Sequence, residues 1–89
     1  MYKILWEDQA LNELTSCWLQ ADALVRQAIT SAAHQVDKQL SSDPYGMSES
    51  RFSDKRIAFV SPLGVTFKVK TDQWTEQILS VWVFRRTQS

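Results

Sequence analysis

Two short alternating runs flank Ser61-Pro62-Leu63-Gly64, and they constrain this chain more than any other feature. Ile57 and Phe59 alternate with Ala58 and Val60; Val65, Phe67 and Val69 alternate with Thr66, Lys68 and Lys70. A period of two marks strands with one buried face. Proline and glycine between the runs supply the turn, so residues 56–69 are predicted to form a β-hairpin turning at 61–64. A third strand is predicted over 77–84, after a polar connection at 71–76. Its alternation puts Ile78, Trp82 and Phe84 on one face and Leu79, Val81 and Val83 on the other. A strand apolar on both faces is central, or is covered by a helix or another chain.

The rest of the chain supplies the cover. Tyr2, Ile4 and Trp6 share one face of a short strand at 2–6. Glu7 or Asp8 then opens a helix with Leu11, Leu14 and Trp18 on one side, flanked by Ala10, Cys17 and Ala21. Asp22 caps a second, longer helix over about 23–40. Val25, Ala28, Ile29, Ala32, Val36 and Leu40 make its apolar stripe. The short link predicts an αα-hairpin. Pro44 stops the second helix by disfavouring helical geometry at Asp43. Residues 45–55 read as an irregular connection. The predicted fold is α+β: an N-terminal strand, a two-helix hairpin, then a three-stranded antiparallel meander, with the helices on one face of the sheet.

At 89 residues this is one small domain, 1–89. Such a chain buries roughly 60–65% of the surface exposed when unfolded, so modest stability is expected. Basic and acidic residues balance at ten each, and total charge does not point to nucleic acid. The lone Cys17 excludes an internal disulfide and suits a reducing compartment. No leader pattern or membrane-length apolar run is present, so a cytoplasmic address and no membrane contact are expected. One histidine and one cysteine cannot build a zinc site, and no glycine loop cradles a nucleotide. No metal or cofactor is expected.

In order and spacing, these pieces resemble the RelE/ParE superfamily of type II toxin–antitoxin toxins, in a divergent, plasmid-stabilisation-like form. Residues 2–6 followed by Asp8-Gln9-Ala10-Leu11-Asn12-Glu13-Leu14 are similar to the family's first strand and helix. Leu40 through Pro44 resembles its helix ending. Residues 56–69 with Gly64 resemble its strand, turn and strand, and Ile78-Leu79-Ser80-Val81 its last strand. The resemblance implies an antitoxin partner and one of two activities: metal-independent cleavage of messenger RNA in the ribosomal A site, or inhibition of DNA gyrase. Cleavage needs a proton-transfer group and cations on the scissile phosphate. Two residues after the turn glycine, RelE-like members carry an arginine aimed at phosphate; here that position is Thr66, which carries no charge. Whether the chain is an enzyme is therefore left open.

On this reading the catalytic candidates are Arg51, Arg56, Arg85 and Glu49, with Tyr45 as a further proton-transfer group. Lys55, Lys68, Lys70 and Arg86 are candidates for holding a nucleic-acid backbone. The alternative for all of them is solvated charge in local ion pairs, worth about 0–1 kcal/mol each. Trp82 and Phe84 are candidates for partner binding or self-association. Trp6 and Trp18 are expected in the core, Trp74 at the hinge before the last strand, and His34 in solvent. The functional expectation is a toxin or toxin-like protein bound to a small antitoxin, acting on ribosome-bound messenger RNA with reduced or lost catalysis. The alternatives are a non-catalytic interaction module of the same fold and a gyrase inhibitor.

Overall fold

The computed structural model describes residues 1–46, 48–50 and 54–84. Strand β1 (Lys3–Trp6) leads into helices α1 (Asp8–Leu19) and α2 (Ala23–Ser42). Strands β2 (Ser48–Ser50), β3 (Lys55–Val60), β4 (Leu63–Lys70) and β5 (Thr75–Val83) follow. The five strands form one sheet in the order β1-β5-β4-β3-β2. The meander β3-β4-β5 is antiparallel as expected, whereas β1 runs parallel to β5, so the sheet is mixed. A parallel neighbour needs a crossover, and the helical hairpin provides it. Part of the connection expected to be irregular also orders as β2, paired antiparallel with β3.

Each helix begins where an acidic residue precedes it. Asp22 caps α2 through its side chain, which accepts from the Val25 N–H at 2.9 Å. Glu7 occupies the N-cap of α1 in extended geometry, with no side-chain capping bond. Arg26 ties the hairpin together: it donates to the carbonyls of Trp18 and Leu19 at 2.9 and 3.0 Å and stacks 4.4 Å from the Trp18 ring centroid. These are last-turn carbonyls of α1, which lack partners within the helix.

The core lies between the helices and one face of the sheet. Ala10, Ile29, Ala32, Val36 and Leu40 meet Ala58, Leu63, Val65, Phe67, Ile78 and Val81, all essentially inaccessible. The helical stripe is narrower than predicted: Leu11, Val25 and Ala28 face outward. Trp18, expected in the core, is 39% exposed, because its ring lies against Arg26 on the outside of the hairpin. Trp6 sits at the core margin, and its indole N–H donates to Asp37 at 2.7 Å.

Two departures reset the faces of the last strands. The turn is only Ser61-Pro62: Val60 already pairs with Leu63, and Phe59 with Gly64. In β5, Ile78 pairs with Phe67 and Ser80 with Thr66, leaving Leu79 as the extra residue of a bulge. A bulge inverts the alternation beyond it. Ile78, Val81 and Val83 therefore share the covered face, and Trp82 goes to the opposite one. The predicted strand with two apolar faces is thus a strand with one covered face and one mixed face. It also starts earlier, at Thr75, after a 3-10 turn at Thr71–Gln73 and a left-handed Trp74 at φ 50°.

Among the described residues, β5 has no strand beside it on the β1 side beyond Ile78. There the Val81 N–H donates to Glu13 of α1 at 3.0 Å. A carboxylate on an otherwise bare strand edge satisfies the backbone and discourages unintended pairing.

Candidate functional site

The register assigns each described candidate on the paired strands to a face. On the side away from the helices, Phe59, Gly64 and Trp82 form one cross-strand row, and Glu49, Ile57, Thr66 and Ser80 form the next. Leu5, Gln77, Lys68 and Lys55 follow, then Lys3, Thr75 and Lys70. Rows lie two residues apart, about 7 Å along the strands. The open face therefore passes from aromatic, through a hydroxyl-bearing middle, to cationic.

The aromatic end is a packed cluster. The Phe59 ring stands edge-on to Trp82 at 6.2 Å and to Phe84 at 5.3 Å. Trp82 lies flat over Gly64, where a Cβ would come within 2.5 Å of the indole. Glycine is needed there for close approach, not for a turn or a positive φ. Phe84 is held by its backbone N–H on the Pro62 carbonyl at 2.9 Å. Phe59, absent from the predicted set, is 50% exposed and centres the cluster. The misplaced turn hid it, since only the true register sets it opposite Gly64.

At the cationic end, Lys68 pairs with Asp54 at 3.3 Å; both side chains retain substantial exposure. Lys55 is exposed and Lys70 half-buried. Glu49 is exposed on β2 opposite Ile57, at the outer end of the Thr66 row.

Arg56 does not join this group. It pairs with Phe67 and so projects from the helix side of the sheet. Its guanidinium donates to the Ser48 hydroxyl at 2.7 Å and the Ser48 carbonyl at 3.0 Å, and lies 4.9 Å from the Tyr45 ring centroid. Arg56 thus lies on the opposite face of the sheet from Lys55, Lys68 and Lys70. Arg51, Arg85 and Arg86 lie outside the described residues.

A second polar group lies on the covered face, where sequence reasoning placed none. Glu76 is 0% exposed, and neither carboxylate oxygen has a hydrogen-bond partner among the described residues. Burial pushes its pKa up to about 7. Tyr2 lies close by. Its pKa is raised by burial first, then by Tyr45 and Glu76, and its hydroxyl shares a hydrogen bond with Tyr45. Tyr2 also packs on Trp74 at 5.2 Å. Glu76 was missed because it fell in the stretch read as a polar connection; β5 starts early, at Thr75, and sets it two residues before Ile78 on the covered face.

Between the helices runs a shallow apolar groove lined by Leu14, Trp18, Ile29, Ala33 and the exposed His34. Among the described residues, no three metal-binding side chains gather, and no helix is long and apolar enough to cross a membrane.

Comparison with known proteins turns on this architecture. No family model matches the sequence, and no curated protein does. Solved structures do match. A chain of the RelBE2 toxin–antitoxin complex from Mycobacterium tuberculosis superposes with a TM-score of 0.73 at 14% identity, over 92% of this chain and 90% of that one. The chromosomal ParDE system of P. aeruginosa gives 0.73 at 20% identity, over 96% and 98%. The fold is that of the RelE/ParE toxins. The intact RelBE toxin–antitoxin complex of E. coli gives 0.61 at 18% identity, over 97% and 100%. Within the RelE/ParE fold, the open sheet face of this chain has Thr66 at its centre, the position where the resemblance calls for an arginine.

Proposed function

We propose that this chain is a toxin or toxin-like component of a type II toxin–antitoxin system that binds a small antitoxin. The observation that carries this reading is a fold match spanning at least 90% of both chains, with structures described as toxin–antitoxin complexes. Two exposed apolar surfaces support a protein partner: the Phe59–Trp82–Phe84 cluster and the groove between α1 and α2. The open face supports phosphate binding with reduced or lost catalysis. Lys55, Lys68 and Lys70 supply cations there, while Thr66 leaves the middle of the face uncharged and Arg56 is committed to Ser48 on the other side.

The same facts favour a second reading, a non-catalytic interaction module. Co-expression with the product of an adjacent short reading frame separates toxin component from isolated module. Stable co-purification is expected. A chain that stays strictly monomeric and captures nothing contradicts the proposal. Induced expression alone is expected to give weak or no ribosome-dependent cleavage; rapid growth arrest with A-site cuts in messenger RNA would overturn the loss of catalysis.

A further inference from the structure

Glu76 is a buried carboxyl group far from any opposite charge that would hold it ionised among the described residues. Glu76 sits on the covered face of β5, paired with Val69 of β4 on one side and Ile4 of β1 on the other. It is fully buried, and neither oxygen has a hydrogen-bond partner among the described residues. A polar group in that state costs free energy, and far more when it is ionised. Edge strand β1 is four residues long and, among the described residues, pairs with β5 alone. Its start is pinned by the Tyr2 N–H on the Ser41 carbonyl and the Lys3 N–H on the Trp74 carbonyl, both at 2.8 Å.

Among the described residues, the surroundings offer Glu76 no counter-charge in place. Tyr2, just before β1, faces it, and Tyr45, from the turn after α2, bonds to Tyr2. Among groups on the same face, Arg56 of β3 is engaged by Ser48 and Tyr45. Asp37 of α2 is engaged by Trp6. The β4 neighbour is Val69, and the buried residues of α2 nearest its C-terminus are Val36 and Leu40.

We propose that Glu76 is a proton-operated latch on β1. Protonated, it stays stored beneath Tyr2 and β1 remains docked. Ionised, the carboxylate moves to water, lifting β1 and Tyr2 away from β5. Release frees the β5 edge over residues 75–78, making it continuous with the stretch beyond Ile78 that has no strand beside it among the described residues. Tyr2 and Tyr45 both keep some exposure.

The sign follows from linkage. Burial raises the folded-state pKa from the ordinary 4.5 to about 7. The closed form is therefore favoured at low pH and loses stability as pH rises between those values, up to a loss on the order of a hundredfold in its equilibrium constant. Above about pH 7 the loss levels off.

Native-state hydrogen exchange on the whole chain, corrected for intrinsic rates, tests this between pH 5.5 and 8.5. Protection at the Tyr2 and Lys3 amides is expected to fall at least about tenfold more than at Ile29–Val36 amides of α2. Glu76→Gln removes the pH dependence at β1. Glu76→Met serves the same purpose should the glutamine variant fail to fold. Equal loss of protection in β1 and α2, no loss in either, or a differential loss that persists in the variants would each overturn the latch.

Discussion

The two faces of this sheet are built from the same strands, yet they do different work. Toward the helices, Ala58, Leu63, Val65, Phe67, Ile78 and Val81 are excluded from water. On the other side the intervening positions carry Thr66, Lys68, Lys70, Ser80 and Trp82, each half-buried, with Phe59 half in solvent. Nothing in the fold requires threonine at 66 or lysine at 68, whereas the packing of α2 requires bulk at 67. Burial is concentrated on one face, leaving the other free to vary.

Phe67 and Thr66, adjacent in sequence, give the sharpest test of that division. Phe67→Ala empties the centre of the core and is expected to cost about 3–5 kcal/mol. Thr66→Ala should change stability by less than about 1 kcal/mol. Urea midpoints at constant m-value measure both. Comparable losses would break the distinction between the faces.

Gly64 is the exception on the open face, since Trp82 rests on it. Gly64→Val is expected to destabilise by about 1–3 kcal/mol through overpacking. Most of that loss should vanish in a Trp82→Ala background, so a double-mutant cycle reports the coupling. Additive effects would mean that the aromatic cluster is not seated on the glycine.

A smaller effect is expected where the covered face meets solvent. Asp37→Ala leaves the Trp6 indole N–H without its acceptor and should cost about 1–2 kcal/mol by the same denaturation. Smallest is Asp54→Ala, which breaks an exposed ion pair with Lys68 and should cost no more than about 0.5 kcal/mol. A larger loss there would show that the open face contributes to stability after all.

The fold was legible where local signals agree with tertiary packing. The alternation around Val65 and Phe67, the stripe Ile29-Ala32-Val36-Leu40 and the Asp22 cap each reappear in the structure. What could not be read depended on non-local pairing. The parallel β1–β5 contact spans nearly the whole chain, and no alternation pattern encodes strand direction. The bulge at Leu79 reverses the facing of the residues beyond it without leaving a glycine or proline as a sign. That reversal brought Trp82 over Gly64. Arg56 belonged to a readable strand, but its face followed from the true turn at Ser61-Pro62. Glu76 looked like loop charge because β5 begins two residues earlier than its apolar pattern. The basic end of the open face was partly visible in Lys68 and Lys70, which the alternation already set opposite Val65, Phe67 and Val69.

The claim that function resides on the open face and stability on the covered one is tested most directly by RNA binding across a salt series. Purified wild-type protein is compared with a Lys55→Ala, Lys68→Ala, Lys70→Ala variant and with Arg56→Ala, each checked for unchanged secondary structure by circular dichroism. The probe is a fluorescent single-stranded RNA. The account predicts salt-sensitive binding by the wild type and weaker binding with a shallower salt slope in the lysine variant. Arg56→Ala should bind like the wild type. Binding lost on removing Arg56 and kept without the three lysines would contradict it.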